Sequence, residues 1–122
     1  MTKDEFRAYC EENNLRYKKD TCGDPISPSR RGLKNDQLYW TGTEEIGVYA
    51  ERETKKKFTF LKQKLLEAGA RPNQDGDTDG TFMVSQSDAL LIAKILGCFK
   101  NAMPEETRDK MSRLLKERWY GE

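Results

Sequence analysis

The sequence predicts an α+β fold: a single small domain over residues 1–122, with antiparallel β-hairpins packed against about four helices in the order α-ββ-α-ββ-α-α. Three observations predict it. Stretches of 3.6-residue apolar periodicity alternate with short runs of β-branched and aromatic residues. Gly, Asp and Thr, the turn formers, sit inside the hairpin candidates. A chain of 122 residues with 35% hydrophobic and 10% aromatic content suits one modest core and is too aromatic for full disorder.

Residues 3–14 read as a helix, because Phe6, Tyr9, Cys10 and Asn13 share a face. Thr2 and Glu5 supply the capping box in front of it. Residues 17–36, rich in Pro, Gly, Ser and Asp, read as a long loop that carries Arg30, Arg31 and Lys34. Leu38, Tyr39 and Trp40, then Ile46, Val48 and Tyr49, are the strand formers of a hairpin that turns at Thr41-Gly42-Thr43-Glu44. Thr54 is the N-cap of the clearest helix, with Phe58, Leu61, Leu65 and Ala68 on one stripe and Gly69 as its stop. Residues 81–84 read as a strand, and Pro72 makes the arm before it a poor one. Ser85 and Asp88 form a second capping box ahead of Leu90, Leu91, Ile92, Ile95, Leu96 and Phe99. That segment is apolar nearly all round, which predicts the most buried helix. Pro104 opens a last helix with Met111, Leu114, Leu115 and Trp119 on a narrow stripe. The two middle ββα units look alike in outline, without a repeat at the level of residues.

Composition excludes several chemistries. Histidine is absent, which removes Ser-His-Asp and Cys-His catalysis and His-ligated zinc. Cys10, Cys22 and Cys98 are an odd number without a C-x-x-C pair, the usage of a reduced, intracellular chain. The charged residues after Met1 do not form a leader, and no run approaches the roughly eighteen apolar residues of a membrane span. The expectation is a cytoplasmic protein that is not an enzyme and carries no cofactor. Glu53-x-Lys55, with Asp36 upstream, superficially matches the E-x-K of metal-dependent nucleases, and nothing else in the chain joins it.

The residues Asp75-Gly76-Asp77-Thr78-Asp79-Gly80 form D-x-D-x-D-G, the front half of a calcium loop. Asp75, Asp77 and Asp79 would be its ligands. Gln86 stands where a bidentate Glu should close the shell, and Met83 brings no side-chain oxygen at another ligand position. The residues then offer at best a low-affinity calcium site, and the leading expectation is an acidic turn with no metal.

Three basic clusters remain: Arg30, Arg31 and Lys34; Lys55, Lys56 and Lys57; and Arg108, Lys110, Arg113, Lys116 and Arg118 in the last helix. The lysine triplet occupies a helix N-terminus, the wrong sign for the macrodipole, and a bound phosphate would offset that. The sequence PEETRDKMSRLLKERW resembles the NUMOD3-type nuclease-associated motif over about sixteen residues. The resemblance implies DNA contacts from Thr107, Arg108, Lys110, Ser112, Lys116 and Arg118. Pro104 replaces the usual Ser, Leu114 and Leu115 make the helix more apolar, and one copy is present. The stretch CGDPISPSRRG, followed by LYW, is similar to the opening of uncharacterised small bacterial and phage proteins.

The first functional expectation is therefore a small, non-enzymatic nucleic-acid-binding accessory protein of bacterial or phage type. The alternative is a protein–protein module, such as a phage-encoded inhibitor or adaptor, using the acidic 75–79 loop. The net charge of +1 counts against the first reading, which then needs the basic residues to cluster in space. The arrangement of charges in space separates them: basic clusters on one face favour nucleic acid, whereas Asp75, Asp77 and Asp79 joining Glu44 and Glu45 in one acidic face favours a protein partner.

Overall fold

A computed structural model describes residues 1–30, 35–100 and 113. It is α+β, with one six-stranded antiparallel sheet and three helices among the described residues. The elements run α1 (Lys3–Glu12), β1 (Lys18–Lys19), β2 (Pro25–Pro28), β3 (Gln37–Tyr39), β4 (Ile46–Glu51), α2 (Lys55–Glu67), β5 (Arg71–Asp75), β6 (Asp79–Val84) and α3 (Ala89–Leu96). The sheet order is β1-β2-β3-β4-β6-β5. This corrects the expected count of about four helices and the expected order. The helix expected after Pro104 falls outside the described residues, and two strands occupy what reads as loop.

That loop, residues 17–36, is a hairpin in its first half. Lys18 pairs with Ile26 and Lys19 with Pro25. Asp20 Oδ1 accepts from the N–H groups of Cys22 and Asp24, both at 2.9 Å, and Gly23 takes the left-handed conformation (φ +86°) that closes the turn. The prolines did not prevent a strand because they occupy its first and last positions. The two residues between them, Ile26 and Ser27, continue the ladder to Tyr39 and Leu38.

Alternation along β4 and β6 sets one face inward. Ile46, Val48 and Ala50 lie opposite Val84, Phe82 and Gly80, and all six are buried. They meet Phe6 and Cys10 of α1, Phe58, Leu61 and Leu65 of α2, and the side chains of α3 in one apolar cluster. The outward positions Gln37, Tyr39, Tyr49, Thr81 and Met83 are only part-buried. Helix α1 has the expected capping box, with Thr2 Oγ1 accepting from Glu5 N and Glu5 Oε1 accepting from Thr2 N. Helix α3 is the predicted buried one: Ala89 to Ala93 and Leu96 are all inside. Its box is half made, since Ser85 Oγ accepts from Asp88 N at 3.2 Å but the α-helix begins only at Ala89.

The β3-β4-α2 and β5-β6-α3 units repeat the same succession, and Gln37 to Arg71 and Lys55 to Ala89 are the same 34-residue step. Their inner strands, β4 and β6, are antiparallel neighbours, so the two units lie back to back about an approximate two-fold normal to the sheet. The backbone packs closely at Gly80. A Cβ there would lie 2.9 Å from the Gln74 carbonyl oxygen and 3.2 Å from Phe58.

Candidate nucleic-acid interface

Helix α2 positions the site. Thr54 Oγ1 accepts from Lys57 N at 3.2 Å and fixes the start of the helix. Phe58, Leu61 and Leu65 turn one stripe into the core. The opposite stripe faces solvent, and Phe60 stands there 65% exposed. At 3.6 residues per turn its neighbours are Lys56 and Lys57 one turn before and Gln63 and Lys64 one turn after. Lys64 Nζ lies 4.8 Å from the Phe60 ring centroid. These residues, with Lys55, Arg52 and Ile95 of α3, line an open groove of about 1160 Å³.

The charge of the groove is only partly answered. The first turn of α2 holds no acid. Lys57 meets Glu53 at 3.3 Å, but both side chains are more than half exposed, so the pair contributes little. Lys55 and Lys56 make no ion pair with any described residue. Arg52 is anchored from behind: its Nη1 lies 2.7 Å from Asp36 Oδ2 and donates to the Glu51 carbonyl at 2.6 Å. Asp36 is fully buried and its Oδ1 accepts from Glu51 N at 3.0 Å. Burial pushes its carboxyl above the ordinary value, against the pull of Arg52 and the Glu51 N–H. The carboxylate that would have served an E-x-K site is thus committed to an ion pair in the interior.

Of the sequence-predicted basic residues, Lys55, Lys56 and Lys57 are exposed on this face. Arg30 is exposed at the same end of the sheet. Its N–H donates to Gly97 at the C-terminus of α3, and the preceding Ser29 N–H donates to the carbonyl of Asp36, the partner of Arg52. Arg31, Lys34, Arg108, Lys110, Lys116 and Arg118 lie outside the described residues, as do Thr107 and Ser112. Sequence reading missed Phe60, Lys64 and Arg52. The legible signal was Phe60 itself, a second large aromatic two residues off the apolar stripe of its helix.

The acidic loop is the turn of the β5–β6 hairpin. Asp75 pairs with Gly80 across the ladder, and Gly76 N–H donates to the Asp79 carbonyl at 2.8 Å. Strands, not helices, flank it. Asp75 is ion-paired to Lys62 of α2, and Asp79 Oδ2 accepts from the Tyr49 hydroxyl at 3.4 Å. Among the described residues no group of three or more His, Cys, Asp or Glu is placed to hold a metal. Glu44 and Glu45 are at the other end of β4, where Glu44 receives the N-terminal ammonium at 2.9 Å and Glu45 receives Arg71. The acidic residues therefore do not gather on one face.

No family model, curated protein or solved structure matches this chain.

The cysteines offer no reactive thiol in the core. Burial pushes both Cys10 and Cys98 up to about 12, and the Cys98 thiol donates to the Ser27 carbonyl at 3.4 Å. No helix among the described residues is long and apolar enough to cross a membrane.

Proposed function

We propose that the protein is a small, non-enzymatic nucleic-acid-binding accessory protein that holds a phosphate backbone against the outer face of α2. The observation that carries this reading is an exposed Phe60 with Lys56, Lys57 and Lys64 on one helix face and Lys55 at the edge of the same groove. Lysines of this kind position a polyanion and make its binding salt-dependent without reading sequence. Arg52 lines one end of the groove, with its charge answered by Asp36. With a near-neutral net charge the reading rests on the local clustering of these lysines, since Asp75 of the 75–79 loop answers Lys62 on another side of the same helix.

The test is fluorescence polarisation with labelled single- and double-stranded DNA and RNA at about 50 and about 200 mM salt. Binding that weakens steeply across that range is expected. No binding to any of the four probes at the lower salt contradicts the proposal.

A further inference from the structure

We infer that the α2 face takes single-stranded nucleic acid and stacks one base on the Phe60 ring. This rests on the reading of that face as a phosphate-binding surface and adds the form of the ligand. Phe60, 65% exposed against 39% for Leu66 and burial of Phe58, Leu61 and Leu65, is the most exposed large apolar side chain on the helix. Its surroundings select the occupant. Lys56 and Lys57 precede it by one turn and Lys64 follows by one turn, so ammonium groups lie on both sides along the helix axis. A rise of about 1.5 Å per residue puts Lys56 and Lys64 about 12 Å apart along the axis, with Phe60 midway. An apolar partner would leave these charges unanswered, and a small anion would leave the ring unused. A duplex would satisfy the lysines, but its bases are stacked inside. A single strand presents phosphates and unstacked bases together. Lys64 already lies over one side of the ring, and a base on the other side completes a sandwich in which the cation also meets a backbone phosphate.

The experiment compares three labelled probes of equal length: oligo-dT, an abasic strand with the same backbone, and a duplex. Wild type is expected to bind oligo-dT more tightly than either of the others. Phe60→Ala should lose about 5- to 140-fold on oligo-dT, the equivalent of one stacked base at ~1–3 kcal/mol. It should bind the abasic strand like wild type. Phe60→Tyr, which keeps the ring, should retain the preference, and Phe60→Leu should lose it. Because the side chain is exposed, all three variants should keep the wild-type melting temperature. Equal binding of oligo-dT by wild type and Phe60→Ala, with Lys56→Gln weakened on every probe, overturns the stacking and leaves the phosphate surface standing. Binding of no probe by wild type overturns both.

Discussion

Asp36 and Arg52 show how one ion pair links the interior to the candidate surface. Asp36 is fully buried and Arg52 is 19% exposed, so removing the cation strands a carboxylate in the core. Arg52→Ala is expected to cost about 3–5 kcal/mol of stability, read as a fall in the urea midpoint. The carboxyl itself gives a pH signature. Its folded-state value is raised by burial, so the native state holds the proton more tightly than the unfolded chain. Its contribution is fullest below the ordinary carboxylate range and is lost as pH rises through the raised value. The stability of wild type relative to Asp36→Asn should therefore decline as pH rises out of the acid range. A difference that stays flat with pH would contradict this. Gly80 gives a second residue-scale prediction. Because a Cβ meets the backbone oxygen of Gln74 as well as Phe58, Gly80→Ala should lower stability by about 1–3 kcal/mol in chemical denaturation.

The helices and the hairpins differ in how far they can be read from the sequence. The three described helices were legible because caps and stripes are local: Thr2 with Glu5, Thr54 with Phe58 and Leu61, and the apolar run before Gly97. The β1–β2 hairpin was not, because Pro25 and Pro28 signal loop and only their places at the strand ends make them tolerable. Asp20 and Gly23 carried the turn signal, but the strands they join are two and four residues long. The site was half legible. Lys55, Lys56 and Lys57 stand out as a run, whereas Phe60 matters only once the phase of α2 is fixed by what Phe58, Leu61 and Leu65 bury. The same triplet supplies an element-scale prediction. Three lysines at a helix N-terminus oppose the macrodipole at roughly 0.3–1 kcal/mol each. Replacing all three by Gln should raise the melting temperature while weakening nucleic-acid binding. Stability and binding moving in opposite directions is the signature of a charge kept for a ligand, and a fall in both would contradict it.

Across the whole molecule, two ββα units meet at β4 and β6, and their likeness does not extend to chemistry. In the second unit, α3 is buried nearly all round. In the first, α2 keeps one face in solvent and places Lys56, Lys57, Lys64 and Phe60 on it, with Lys55 at the edge of the same groove. The asymmetry could not be seen from net charge, which is +1 for the chain, because segregation and not excess makes the surface. The most direct test of that surface is the salt dependence of single-strand affinity for wild type and for Lys55→Gln/Lys56→Gln/Lys57→Gln. Four lysine contacts predict a slope of about −2.8 in log affinity against log salt, roughly a 50-fold loss between about 50 and about 200 mM. The triple variant, left with Lys64, should fall to about −0.7. The same slope in both proteins would mean that the strand is held elsewhere, and the α2 face would not be the binding surface.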